Sequence, residues 1–465
     1  MSLVKERIHG TGRFRPRASV RDRPGRGVAG PVAVRAARRQ RPADASVPVA
    51  GSHPGPRRRW LASAPRSGIR RAAAAGRRGT RYRCVVMELL MPGLGLLAGL
   101  AALAGSATTL LSARAVARLA ATPPVAGPAL PASILKPLHG APPGLGSALA
   151  STLAQAHAAP FEVLFAVRDP ADPAAAVAEA TMAAAPGVAA RLLRDPRLHG
   201  PNRKVSQLMN LEGAARHPVL VVADADMQVP PHWLAAVTAP LADPAVGLVT
   251  CLYRGEPADG GLWSRLAALW IDWQFLPNAA LGEAMGRANG CYGATMALRA
   301  ETLARIGGFA ALADLLADDH ALGAAVRRLG LRVVVAPVLP GHVQAEPGPG
   351  VLARHELRWA RTLRSLDPPG YAGMGVTFPL AWGALAALLT PWGWLALPVA
   401  FGARLTLAIR VDRALRRGLS PGRLMLLPLR DGLSFAIWAV GLARGTVTWQ
   451  GRRFRMRPDG SMVEA

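Results

Sequence analysis

The run Val221-Val222-Ala223-Asp224-Ala225-Asp226 places two carboxylates one residue apart at the end of a stretch of β-formers. Side chains of a strand alternate, so residues i and i+2 point the same way and both acids can face one ligand. The C-terminal ends of strands are also where open α/β sheets bind their ligands. Hard oxygens in such a pair suit Mg²⁺ or Mn²⁺, which in turn neutralises a diphosphate. The alternative is a solvated Asp-x-Asp turn.

Other residues along the chain could join that chemistry. Asp169 closes the apolar run Phe161 to Val167 and could accept hydrogen bonds from a nucleotide's ribose or base, or else cap a turn before Pro170. Asn202-Arg203-Lys204 precedes the helix that leads to Asp224. Lys204 there could meet a diphosphate as a point charge, or belong to a solvated basic loop. Ala317-Asp318-Asp319-His320 opens an apolar helix. Adjacent helical residues diverge by about 100°, so one acid can face a site while the other caps, or both can simply favour the helix dipole. Arg354-His355-Glu356-Leu357-Arg358-Trp359 falls on an amphipathic helix. Arg358 could bind a diphosphate bidentately and Trp359 could wall an acceptor site, or the helix could anchor at a bilayer surface.

The elements that must position these groups alternate between β-rich and Ala-rich helical runs from Ala132 to about Val343, the pattern of a mostly parallel α/β domain. Candidate strands are Phe161 to Val167, Val219 to Ala223, Val246 to Tyr253 and Leu331 to Ala336. No Gly-x-Gly-x-x-Gly or Walker A sequence follows a strand, which argues against a dinucleotide site or P-loop.

Apolar segments flank this domain. The uncharged stretch Leu89 to Ala113 is long enough to cross a ~30 Å hydrocarbon core as a helix. Pro368 to Ala403 is also uncharged, and Thr390-Pro391-Trp392-Gly393 would break it into a hairpin of two spans, with Trp382, Trp392 and Trp394 as interfacial anchors. Gly432 to Ala443 is short and reads as interfacial or re-entrant. Arg114 and Arg118 after the first span, and Arg410, Arg413, Arg416, Arg417 and Arg423 after the hairpin, predict that both flanks are cytoplasmic.

Charge is unevenly spread. The first 83 residues hold 22 Lys and Arg against 3 Asp and Glu, most of the net +28. This Arg-, Ala-, Gly- and Pro-rich segment has no hydrophobic period and reads as disordered. An N-out first span would require translocating it, so either the topology is inverted or the working chain begins at or near Met87. Cys84, Cys251 and Cys291 are too few and scattered for a disulfide framework or a Cys-x-x-Cys zinc site. Leu262, Leu266, Trp270 and Trp273 recur at helical spacing, with Trp263 and Phe275 nearby. They form either plain core or a face that dips into the interface to collect a lipid.

Taken together, Asp169, Asp224-x-Asp226, Asp318-Asp319 and His355 to Trp359 resemble the D1, D2, D3, (Q/R)-x-x-R-W pattern of GT-A glycosyltransferases. Ile134-Leu135-Lys136-Pro137-Leu138-His139-Gly140 and Tyr292 to Arg299 are similar to the ceramide glucosyltransferase branch. Within that branch the chain looks most like bacterial hopanoid-biosynthesis-associated glycosyltransferases, from Met87 through the tail Val447 to Arg452. The resemblance implies a GT-A, Rossmann-like catalytic domain with N- and C-terminal transmembrane helices in the cytoplasmic (inner) membrane. It implies inverting transfer of glucose or N-acetylglucosamine from a UDP-sugar to a membrane lipid, with Mg²⁺ or Mn²⁺ as cofactor. Lys136, Asp169, Lys204 and Asp224 would bind the donor, Asp224 and Asp226 the metal, and Asp319 would be the base, acting with Arg358 and Trp359. His355 departs from the pattern, which has Gln or Arg there.

The expected organisation is an Arg-rich segment over 1–86, an anchor over 87–118, a catalytic domain over 130–345, a juxtamembrane helix over 346–370, a hairpin over 371–409 and a basic tail over 410–465. Rival readings are a processive polysaccharide synthase, for which three spans are too few to build a channel, and a basic protein gripping nucleic acid or anionic lipid through its first 83 residues. With most of the basic charge confined there, no nucleic-acid partner is expected for the remainder.

Overall fold

Apolar runs without polar alternation build the centre of the molecule, because the sheet they form is covered on both faces. The computed structural model describes residues 67–287, 291–443, 446–449, 452–456 and 462–464, and Arg71–Ala465 forms one compact unit. Its strands are β1 (Ala132–Pro137), β2 (Phe161–Val167), β3 (Ala189–Arg194), β4 (Val219–Ala223), β5 (Met227–Gln228), β6 (Val246–Thr250), β7 (Arg254–Pro257), β8 (Thr295–Arg299), β9 (Arg332–Val335) and β10 (Gly341–Gln344). Seven of these form the central sheet in the order β3-β2-β1-β4-β8-β6-β9, and β5-β10-β7 form a small second one. All neighbours in the large sheet are parallel except β8, which runs antiparallel to both β4 and β6.

Strand β4 shows how the sequence makes this core. Val219, Val221 and Ala223 enter one hydrophobic cluster, with Phe165 and Leu149, while Leu220 and Val222 enter the other, with Leu208 and Phe309. The expected strands at Phe161 and Val219 have the predicted limits, whereas the one at Val246 stops at Thr250 and releases Tyr253 from the sheet.

The helices that matter to the site and its support are α1 (Ser67–Ala121), α2 (Arg203–Glu212), α3 (Leu262–Trp270), α4 (Asp318–Arg328), α5 (Pro349–Leu366), α6 (Pro379–Leu389), α7 (Ala396–Ala414) and α8 (Leu427–Gly441). Helix α1 corrects one expectation: the Arg-rich segment expected to be disordered through residue 86 is helical from Ser67. Ala and Arg are strong helix formers, and this stretch continues directly into the apolar helix. Residues 1–66, the rest of that segment, lie outside the described residues.

Among the described residues, three helices are long and apolar enough to cross a membrane: Leu90–Ala121, Pro391–Ala414 and Pro421–Gly441. The second half of the expected hairpin is the helix Pro391–Ala414, while its first half is corrected. That first half is broken, with Pro368–Thr377 and Pro379–Leu389 meeting at a bend of 67°. The eleven residues of α6 rise only about 16 Å, half of a hydrocarbon core. The segment expected to be too short for a span is instead part of a 21-residue helix. Arg430 and Asp431, which end the apolar run in the sequence, are buried within that helix and neutralised by Glu356 and Arg404.

The apolar helices and the α/β domain share a cluster in which Ala113 and Val116 of α1 meet Trp273, Leu407 and Val411. Trp273 also donates from Nε1 to Asp412 Oδ1 at 3.1 Å. Close packing at this junction depends on Gly255, whose N–H donates to Asp272 Oδ1 at 2.8 Å. A Cβ there would lie 2.2 Å from the Ala268 carbonyl oxygen of α3. Gly255→Ala is therefore expected to cost about 1–3 kcal/mol, as overpacking typically does. A melt of the detergent-solubilised protein would show the Tm falling by several degrees, and an unchanged Tm would refute the close-packing argument.

Candidate active site

The chain leaves β4 at Ala223 and turns at once, so strand alternation does not orient Asp224 and Asp226 as the sequence pattern suggests. They engage different partners. Asp224 Oδ1 lies 2.7 Å from Lys204 Nζ, and Asp226 Oδ2 lies 3.1 Å from His342 Nε2. Burial would raise the Asp226 carboxyl, but His342 and, more weakly, Lys136 hold it at about 2.

Lys136 clamps this turn from below. Expected at the donor, it is instead fully buried, donating to the carbonyl oxygens of Asp224 at 2.8 Å and Met227 at 3.4 Å. Burial pushes its ammonium down to about 8, against the pull of Asp226 and Asp224.

Lys204 stands in the first turn of α2, which Asn202 starts by accepting from Val205 N at 3.1 Å. The same Asn202 donates to the Leu315 carbonyl at 2.7 Å, tying α2 to the loop before α4. Lys204 is thus no solvated loop residue. Its ammonium reaches Asp224 and also lies 3.7 Å from Asp318 Oδ2. Burial would lower its pKa, yet Asp224, Asp318 and Asp319 together raise it.

The two acids at the start of α4 diverge as helical geometry requires. Asp318 turns to Lys204, while Asp319 Oδ2 accepts from Gly293 N at 3.0 Å and its Oδ1 from His320 N at 2.7 Å. Only glycine fits at 293, since a Cβ there would sit 2.8 Å from Asp319 Oδ2. Burial, with the neighbouring Asp318 charge, pushes the Asp319 carboxyl up to about 6.

Helix α5 closes the site. The Arg358 guanidinium forms no hydrogen bond or ion pair among the described residues, although it lies over the Trp359 ring at 5.8 Å. Burial lowers its pKa, against the opposing charges of Asp224 and Asp226, which places it in their field. Trp359 stacks on Trp270 at 4.9 Å and packs against His355 at 4.2 Å. His355 Nδ1 pairs with Glu346 Oε1 at 2.8 Å. Beside them a cavity of about 260 Å³ is lined by Asp226, Glu346, His355 and Gly144, among others.

Two site residues escape sequence reasoning. Tyr253 stacks on Phe275 at 4.6 Å and meets His342 edge-on at 5.1 Å. Its hydroxyl pKa is raised by burial and then by Asp319, Asp224 and Asp226, so it borders all three acids. His342 reaches Asp226 only because β10 pairs with β5, the strand that follows the acidic turn. No local signal in the sequence announces that pairing.

Asp169 does not join this group. It is exposed, and its Oδ1 accepts from Ala171 N at 2.9 Å, the turn-capping alternative. The apolar stripe also takes the plainer of its two readings: Leu266 and Trp273 are buried, Trp270 belongs to the aromatic wall, and only Leu262 is exposed.

Asp226 Oδ1 is buried without a hydrogen-bond partner, which suits a carboxylate that completes its coordination on a cation. No group of three or more His, Cys, Asp or Glu suited to a metal occurs among the described residues. A divalent ion here would take two carboxylates and draw further oxygens from a phosphate and water, the usual habit of Mg²⁺.

The model for the family described as Glycosyl transferase family 21 matches residues 96–462. Among solved structures, the chain is similar to a mannosyltransferase from Pyrobaculum calidifontis in complex with GDP-Man and Mn²⁺, at 20% identity and a TM-score of 0.43, over 76% of this chain and 98% of that one. It is also similar to glucosyl-3-phosphoglycerate synthase from Mycobacterium tuberculosis in complex with Mg²⁺ and UDP, at 18% identity and a TM-score of 0.32, over 51% and 79%.

The Asp319 carboxyl yields a stability prediction with a definite sign. A folded pKa raised above the unfolded value means that the ionised form opposes folding, fully above about pH 6 and not at all below about pH 4. Asp319→Asn should therefore raise the Tm at pH 7.5 and leave it nearly unchanged at pH 4. Thermal melts at the two pH values check this, and equal shifts at both would refute it.

Proposed function

The chain belongs to glycosyl transferase family 21, and from that we propose a membrane-attached enzyme that moves one sugar, with inversion, from a UDP-sugar to a lipid hydroxyl. The observation that carries the reading is the convergence of Asp224, Asp318 and Asp319 on the Lys204 ammonium, from the end of β4 and the start of α4. Such a group can bind a diphosphate, hold a proton acceptor and receive leaving-group charge within one pocket.

In this mechanism Asp319 takes the proton from the acceptor hydroxyl. The acceptor oxygen forms a bond to the anomeric carbon as the bond from that carbon to the UDP oxygen breaks, and the bonding pair departs with UDP. Lys204 and Arg358 receive the developing charge as an ammonium and a bidentate guanidinium. Asp224 and Asp226 would hold Mg²⁺ or Mn²⁺, which when bound neutralises the diphosphate. Lys136 keeps their turn in place from beneath. Trp359, Trp270 and Tyr253 wall the side from which the acceptor enters, excluding water that would hydrolyse the donor.

The three helices among the described residues that are apt to cross a membrane support a lipid acceptor. Hopanoid is the preferred class, followed by ceramide and diacylglycerol, with N-acetylglucosamine or glucose as the sugar. Arg114 and Arg118 at the end of α1, and Arg410, Arg413, Arg416, Arg417 and Arg423 at and beyond the end of α7, favour a catalytic domain on the cytoplasmic side of the inner membrane.

The test is transfer by the detergent-solubilised protein given Mg²⁺ or Mn²⁺, UDP-glucose or UDP-N-acetylglucosamine in turn, and hopanoid, ceramide or diacylglycerol. Asp319→Asn is expected to lose about 10²–10⁴ in kcat, the usual span for a general base, while UDP binding persists. The wild-type rate should fall as pH drops through about 6, where Asp319 protonates. Chelation should abolish transfer, and added Mn²⁺ or Mg²⁺ should restore it. A full rate in Asp319→Asn would remove Asp319 as base, and failure of every lipid with donor still bound would remove the lipid acceptor.

A further inference from the structure

The buried guanidinium of Arg430, on α8, ties together the two helices that carry the aromatic wall. Its Nη1 and Nη2 donate to Glu356 Oε1 and Oε2, each at 2.8 Å, and Nη1 also donates to the Leu266 carbonyl at 3.2 Å. Nε donates to Ser434 Oγ at 3.1 Å, which fixes the fork on its own helix. Arg430 and Glu356 are 1% and 3% exposed, so the pair is shielded from water and salt.

The placement of these contacts gives them a second meaning. Glu356 lies on α5 three residues before Trp359, and Leu266 lies on α3 four residues before Trp270. Residues three and four apart in a helix are surface neighbours. The two rings stack at 4.9 Å with planes 23° apart, and Arg358 adjoins the stack. One side chain from an apolar helix therefore sets the relative register of the two helices that form this wall.

We propose that Arg430 and Glu356 are positioning residues for sugar transfer: α8 holds α3 and α5 in the register that stacks Trp359 on Trp270 and aims Arg358 at the acidic pocket. This rests on the role assigned above to Arg358 and Trp359. Neither Arg430 nor Glu356 touches substrate in this account. Both act through the geometry of α5, where a displacement near 1 Å can cost about 10²-fold in rate.

A neighbouring pair supplies the control. Arg404 of α7 binds Asp431 of α8 through two contacts of 2.7 Å, equally buried and one residue along, but it bonds neither α3 nor α5. Removing one partner of a buried pair strands a charge and can prevent folding, whereas replacing both with apolar residues of similar volume is often neutral for stability. The variants to compare are therefore the doubles Glu356→Met with Arg430→Met, and Arg404→Met with Asp431→Met.

The full chain in lipid nanodiscs would be assayed for transfer kinetics and for near-ultraviolet circular dichroism of its stacked tryptophans, the latter without substrate. The first double should keep its Tm and donor KM, lose 10- to 100-fold in kcat and lose the dichroism also removed by Trp270→Phe. The second should match wild type in all of these. Unchanged kcat and dichroism in the first double would overturn the proposal, as would an equal loss in both doubles. Because the dichroism needs no acceptor, a wild type that transfers nothing to any lipid would count against the proposed function and still leave this inference tested.

Discussion

Four carboxylates cannot share a pocket unless cations are set between them, and the rest of the site follows from how that repulsion is met. Asp224 and Asp318 share Lys204, Asp226 takes His342, and Asp319 receives two backbone N–H groups in place of a full counter-charge. The unequal provision sorts the acids chemically. The well-matched Asp226 is held strongly acidic, whereas the poorly matched Asp319 keeps its proton nearly to neutrality. The uneven supply of counter-charge thus separates Asp226, suited to staying charged, from Asp319, suited to exchanging a proton.

The position of that lysine is a matter of local structure. Asn202 ends the preceding loop and starts α2, which places residue 204 in the first turn, and its amide also secures the approach to α4. The acidic turn is fixed from the opposite side by Lys136, whose burial is tolerable because it ends on two carbonyl oxygens. The pocket is therefore held by its own counter-ions and caps as well as by the apolar core around it.

Much of this is legible in the sequence, for identifiable reasons. β2 and β4 are unbroken apolar runs buried on both faces, so composition alone marks their limits. β1 is harder to read because it contains Lys136, and β8 because it runs antiparallel within an otherwise parallel pattern. The acids, Lys204, Arg358 and Trp359 stand out by type and spacing. His342 and Tyr253 do not, because their roles come from pairings made across the chain. Asp169 is the converse case, conspicuous at a strand end yet satisfied by its own turn. Helix α8 is obscured by two charges whose partners lie 74 and 27 residues away.

Those two charges bear on how the protein is made. Burying a charge without its partner costs several kcal/mol, and α8 carries two in succession. Glu356 and Arg404, the groups that neutralise them, both precede α8 in the chain. The last apolar helix thus emerges from the ribosome after α5 and α7 have been synthesised, and its lowest-energy seat is against them. Assembly of the apolar helices then has a direction: α5, which also carries Arg358 and Trp359, supplies part of the template on which the final helix is received.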